Sequence, residues 1–213
     1  MKIHSNGHAC FFLEGPEGRI LTDPFIEEMP YQLLTTEADI VTVSHDHDDH
    51  NASHRVQGNP SVVDGVGDFT IDGVPICGIA SHHDDVEGEK RGHNIIYVFT
   101  LDGIRVAHLG DLGTPLTDEQ LAALLDVEVA LVPVGGFYTI DAAQAAEVVR
   151  KLPNLKVVIP MHYKTERTKD FPIATVEPFL EMMDNARHIG SPQIELSKKD
   201  LPEALEVWIL DYA

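Results

Sequence analysis

The chain has 213 residues, 43% of them apolar and 7% aromatic, which suits one substantial core and a single domain over residues 1–213. Asp and Glu outnumber Lys and Arg by 35 to 15, a formal charge of -20, so the field of the protein disfavours nucleic acid and anionic membrane surfaces and leaves a small-molecule substrate as the expected partner. No apolar run approaches membrane-spanning length, and Met1-Lys2-Ile3-His4 leads into polar residues rather than an apolar leader.

Cys10 and Cys77 lie in separate apolar runs without Cys-x-x-Cys spacing, so two buried free thiols and a reducing, cytoplasmic setting are expected. Homo-oligomerisation stays open.

In chain order, the first half reads as short strands punctuated by turns: Ala9 to Leu13, the Gly15-Pro16-Glu17-Gly18 turn, Arg19 to Thr22, Ile40 to Ser44, and Ser61 to Val63. Asp68 to Ile71 and Pro75 to Ala80 flank Asp72-Gly73, while Asn94 to Leu101 and Ile104 to Leu109 flank Asp102-Gly103, which predicts a series of antiparallel hairpins. From Thr117 the pattern becomes mixed. Thr117 caps a helix reaching Leu125, Val129 to Val134 is a strand, Asp141 caps a helix from Ala142 to Leu152, and Val157 to Met161 is again a strand. A helix over Ala174 to Asn185 and strands at Ile194 to Leu196 and Leu205 to Leu210 close the chain. Two sheets that must each bury a face, with a few amphipathic helices outside, predict an α/β sandwich of four layers.

The chemistry concentrates in His45-Asp46-His47-Asp48-Asp49-His50-Asn51, directly after the run Ala38 to Ser44. Imidazole and carboxylate groups at this density suit zinc or a similar divalent ion, and the crowd of like groups is costly without a cation. Three further candidates stand where predicted strands enter loops: His82-His83-Asp84, Gly110-Asp111 and Met161-His162-Tyr163. Ligands at strand ends are held by the sheet yet open to a cleft.

His-x-His-x-Asp-His followed in order by a His, a Gly-Asp pair and a final His resembles the metallo-β-lactamase superfamily. Gly7-His8-Ala9, Thr22-Asp23-Pro24, His108 to Gly113 and Ile159 to Tyr163 carry a narrower likeness to the L-ascorbate-6-phosphate lactonase-like hydrolases. The resemblance implies the metallo-β-lactamase fold, an αβ/βα sandwich of two mixed sheets flanked by helices. It further implies two divalent ions: one held by His45, His47 and His83, the other by Asp49, His50 and His162, with Asp111 bridging them. Zinc is the default, and manganese, nickel or iron are alternatives.

Spacing alone leaves His82 and His83 open. The subgroup's His-Asp pattern selects His83, with Asp84 accepting its second ring N–H. His8 belongs to a turn that the resemblance places near the cleft, and His108 reads as a satisfied core histidine or one supporting a ligand. Asp46 and Asp48 fill the variable positions as spacers. Arg91, in the loop Glu89-Lys90-Arg91-Gly92, and Lys164, just past His162, are candidates for binding substrate anions, against surface solvation as the plainer reading.

Two ions roughly 3.5 to 4 Å apart can lower the pKa of water and polarise a scissile oxygen, so the expected reaction is hydrolysis of a lactone, a phosphodiester or another small ester, with Asp111 and Asp49 orienting water. No Gly-x-Ser-x-Gly elbow offers a covalent serine route. Two other classes compete: a diiron redox enzyme, whose pattern carries an acidic residue where this chain has His47, and a non-catalytic binding protein stabilised by metal.

Overall fold

In the computed structural model, which describes residues 1–33 and 37–212, the chain forms two mixed sheets that share one apolar interior. The first sheet contains β1 (Lys2–Gly7), β2 (Cys10–Gly15), β3 (Gly18–Thr22), β4 (Ile40–Thr42) and β5 (Ser61–Val63). The second begins with β6 (Gly67–Ile71), β7 (Val74–His82), β8 (His93–Leu101) and β9 (Ile104–His108). It continues through β10 (Val129–Pro133), β11 (Val157–Met161) and β12 (Ala186–His188); β13 (Gln193–Glu195) then returns to the first sheet, and β14 (Glu206–Ile209) joins the second. The strand orders are β13-β1-β2-β3-β4-β5 and β12-β14-β11-β10-β9-β8-β7-β6.

The hairpin turns form where the sequence places them. Asp72-Gly73 and Asp102-Gly103 all have positive φ, the conformation that two-residue hairpin loops demand. The expectation of hairpins throughout the first half needs correction, because β3 pairs with β4, and β4 with β5, in parallel. Thr22 and Ile40, like Thr42 and Ser61, stand far enough apart in sequence for the long crossovers that parallel pairing requires.

Alternation divides the second sheet's side chains between two cores. Tyr97, Phe99, Val106, Leu131 and Ile159 face the first sheet's Ile3, Phe11, Leu13 and Ile20. Val98, Ala107, Val132 and Val158 face outward onto α1 (Asp118–Leu124), α2 (Ala142–Arg150) and α3 (Glu177–Leu180). Thr117 with Gln120 and Asp141 with Gln144 form capping boxes at the starts of α1 and α2. Over the first sheet's outer face, Phe25, Tyr31, Leu33 and Val56 come from irregular segments and cover Cys10, Leu21 and Val41.

Three further expectations change. The helix drawn from Ala174 to Asn185 is reduced to α3: Pro178 cannot donate an amide within it, and Asn185, at φ 56, turns the chain into β12. β1 and β12 form despite lacking an alternating apolar signature. Cys10 is buried and Cys77 only half-buried, both as free thiols.

The sheets are tied together beside the loop that follows β4. The buried Tyr97 hydroxyl lies 3.1 Å from the Val43 carbonyl and 3.0 Å from that of Val63, and the Ile95 amide donates to the Ser44 carbonyl. Among the described residues, no helix is long and apolar enough to cross a membrane.

Candidate metal centre

The carboxyl ends of β4, β7, β9 and β11 deliver the His45–His50 loop, His83, Asp111 and His162 to one place. Asp111, only 2% exposed, lies at its middle. Its Oδ1 is 3.4 Å from His50 Nε2, and its Oδ2 is 3.4 Å from His83 Nε2 and 3.1 Å from His162 Nε2. On either side, the ligand atoms of His45, His47 and His83, and those of His8, Asp49, His50 and His162, gather within 4.8 Å of one another. The structure thus brings together all seven residues of the sequence-derived set and adds His8.

Backbone geometry sets these positions. His50 and Asn51 amides both donate to the His47 carbonyl, which coils the loop. Gly110, at φ +55, leaves no room for a side chain: a Cβ there would meet Asn94 Oδ1 at 2.3 Å and Ser44 Cβ at 2.7 Å. The Asn94 carboxamide accepts the Asp111 amide at 2.8 Å and donates to the Leu109 carbonyl, so it fixes the Gly110-Asp111 turn. His8 and His162 both have positive φ, and the His162 amide donates to the His8 carbonyl.

A fully buried carboxylate stands behind the cluster. Asp23 Oδ2 is 2.8 Å from His50 Nδ1 and accepts the Ser44 hydroxyl at 2.5 Å, while Oδ1 accepts the Ser44 amide. Ser44 Oγ in turn lies 2.9 Å from His45 Nδ1. Sequence reasoning missed this brace. Thr22-Asp23-Pro24 marked the stretch but assigned no role, and only the parallel β3–β4 pairing brings it under the histidine loop.

The electrostatics favour a cation here. Burial lowers the basicity of His50, but Asp111, Asp23 and Asp49 outweigh it and raise its pKa to about 10. Burial and neighbouring His50 push His45 down to about 3; burial and His162 push His8 down to about 4. Burial opposes ionisation of Asp49, yet the His8 hydrogen bond at 3.0 Å and the charges of His50 and His8 hold its carboxyl below the usual range. His45 Nε2, His50 Nε2 and Asp111 Oδ1 are buried without a hydrogen-bond partner. Buried polar atoms are ordinarily satisfied, so orphaned nitrogens and a carboxylate oxygen converging in one cluster fit divalent metal ions.

The remaining candidates separate. His83 approaches Asp111, whereas His82 pairs across the sheet with His93 at a ring separation of 5.5 Å. Asp84 does not serve the His83 ring, whose Nδ1 has no partner; both Asp84 oxygens are taken by the amides of Val86, Gly88, Lys90 and Arg91. His108 is buried and satisfied, with Nε2 2.8 Å from the Ala9 carbonyl and Nδ1 accepting the Gly110 amide. Asp46 accepts the Asn51 side-chain amide. Arg91 lines a cavity of about 660 Å³ together with His45 and His47, while Lys164 lines a different one of about 520 Å³ that no histidine of the cluster reaches.

Residues 2–162 match the model of the beta-lactamase superfamily domain. A UPF0173 metal-dependent hydrolase from Thermococcus onnurineus is 32% identical over 193 residues, covering 78% of this chain and 85% of its own. The chain belongs to the UPF0173 metal-dependent hydrolase family. A second UPF0173 member, from Alkaliphilus metalliredigens, is 31% identical over 207 residues, covering 84% of this chain and 90% of its own. A crystal structure from Thermotoga maritima, described as a candidate Zn-dependent hydrolase of the metallo-beta-lactamase superfamily, superposes with a TM-score of 0.84 at 42% identity. It covers 100% of this chain and 99% of its own. The fold of this chain is therefore the metallo-β-lactamase fold, as the resemblance in motif order implies.

Proposed function

We propose that this UPF0173 protein hydrolyses a small lactone, phosphodiester or other ester with two divalent ions, zinc by default, in the cluster around Asp111. The observation that carries the reading is the approach of one buried carboxylate to His50, His83 and His162 between two separate groups of ligand atoms. His45, His47 and His83 would hold one ion, Asp49, His50 and His162 the other, and Asp111 would be shared. Purely structural zinc is ordinarily four-coordinate and closed, so a seven-residue set favours catalysis over support.

When bound, the ions supply Lewis acidity toward the scissile oxygen and make water a nucleophile near neutral pH. The protein supplies position. Asp111 and Asp49 orient the attacking water, and Asp49, whose side chain is 34% exposed, is the carboxylate that accepts a proton from it. Asp23 and Ser44 fix the rings of His50 and His45, and His8 fixes Asp49. The cavity of about 660 Å³ beside His45 and His47 is the substrate's place.

The test is metal analysis of the purified protein followed by a screen of lactones and phosphodiesters. The expected result is two equivalents of a transition metal, turnover of at least one class, and loss of that turnover in Asp111→Ala. Fewer than one equivalent after supplementation, or wild-type turnover in the Asp111 variant, overturns the proposal. Iron with a visible-range spectrum and oxygen consumption would favour the diiron reading instead.

A further inference from the structure

Arg91 is an unusual cation in this acidic chain. Its amide donates to Asp84 Oδ2 at 2.7 Å, so the carboxylate that follows His83 also fixes the backbone of Arg91. Its side chain is half-buried, with the guanidinium carbon 5.5 Å from the centroid of Tyr138. Tyr138 in turn stands edge-on to His162, with centroids 6.5 Å apart. Among the described residues, no carboxylate lies within ion-pair distance of Arg91, whereas Arg19 meets Glu37 and Asp39, and Arg187 meets Glu206. Arg55, Arg150 and Arg167 each donate to a backbone carbonyl, and Arg105, whose buried Nε is also without a hydrogen-bond partner, lines a different cavity with Asp126 and Glu128.

The guanidinium of Arg91 is therefore oriented by an aromatic face while its hydrogen-bonding edge stays uncommitted. Arg91 lines the cavity that His45, His47 and Asn51 also line. Asp46 and Asp64 line the cavity too, but Asp46 is engaged by Asn51 and neither lies within ion-pair distance of Arg91. A planar fork of donors fits two oxygens of one oxyanion, and an aromatic platform reduces the disorder lost when they bind.

We propose that Arg91 is the specificity-determining residue of this site and receives an oxyanion, phosphate or carboxylate, carried by the substrate away from its scissile bond. The inference rests on the hydrolase reading above and deepens it: among lactones and esters, those bearing a separate anionic substituent are preferred. Tyr138 is the positioning residue for the fork.

Matched esters that differ only in a phosphate, a carboxylate or a neutral group test this on the metal-loaded protein. The wild type should favour one anionic ester, and Arg91→Met should lower its kcat/KM about tenfold or more, mainly through KM, with a much smaller effect on the neutral ester. Arg91→Lys should restore part of the preference, and Tyr138→Leu should weaken it with Arg91 present. Equal losses for neutral and anionic esters overturn the proposal, as does a wild type without preference for either anion.

A second readout needs no turnover. The Nε–H resonance of Arg91, assigned by its disappearance in Arg91→Met, should shift when methylphosphonate or acetate is titrated into the metal-loaded protein. The anion that shifts it separates the phosphate and carboxylate alternatives, and silence with both overturns the proposal. If no ester of any charge is hydrolysed while the resonance still shifts, the hydrolase reading fails and the anion site stands.

Discussion

Asp23 Oδ2 lies 2.8 Å from Nδ1 of His50, the ring nitrogen opposite the Nε2 that approaches Asp111, and both side chains are fully buried. An acceptor on that side retains a proton at Nδ1 and leaves the Nε2 lone pair for a cation. The same carboxylate steadies His45 through Ser44, so one residue orients a histidine in each proposed half of the centre. Asp23→Ala should lower metal affinity or activity about 10- to 100-fold. Competition with a chelating dye measures this, with circular dichroism to verify folding; unchanged affinity would remove Asp23 from the role.

His82 and His83 are neighbours with opposite assignments. His83→Ala should release metal from the His45 group, whereas His82→Ala should retain the wild-type stoichiometry, since His82 faces His93 instead. Elemental analysis of the two variants decides, and the reverse pattern would reassign the ligand.

Gly110 is a steric gate behind Asp111. In Gly110→Ala, a Cβ at 2.3 Å from Asn94 Oδ1 would push away the carboxamide that holds the Asp111 amide, at a left-handed φ. Left-handed strain and overpacking together should cost about 2–4 kcal/mol of stability, measured by urea unfolding, and metal content should fall with it. A variant of wild-type stability and metal content would contradict the contact.

Asp84 makes the loop after His83 sensitive to acid. Burial alone would push its carboxyl up, but four backbone amides override that and hold it well below the usual carboxylate range. A depressed native pKa contributes stability that is present above the unfolded value of about 4 and is lost as pH falls through the native one. Asp84→Asn should therefore be less stable than wild type at neutral pH, with the gap narrowing as pH falls below about 4. Thermal melts of both proteins across that range supply the measurement; a gap that widens in acid would reverse the assignment.

The ligand loop was legible because four of its ligands fall between His45 and His50, directly after an apolar run, and His83, Asp111 and His162 were legible because each follows a recognisable strand. Asp23 was not, since its link to His50 depends on parallel pairing that no local pattern announces. β1 was hidden by His4, Ser5 and Asn6, whose polarity breaks the apolar alternation although Ser5 and Asn6 are buried. The overlong helix at Ala174 came from real apolar spacing, with Val176 and Phe179 buried as a helix would have them, but Pro178 and Asn185 decided its length. Asp84 lay in the right place for its anticipated partner, yet loop amides compete more effectively for its oxygens than a ring nitrogen on the adjacent residue.

The amide of His162 bonds to the carbonyl of His8 across the junction between the two sheets. His45, His47, Asp49 and His50 come from one sheet, whereas His83, Asp111 and His162 come from the other. An ion gripped from both sides would rivet a seam, and any slippage of one layer over its neighbour would tear its ligands apart. Loading the centre should consequently make separation of the layers and loss of the ion a single event, so that removing the rivet loosens the whole sandwich rather than one loop.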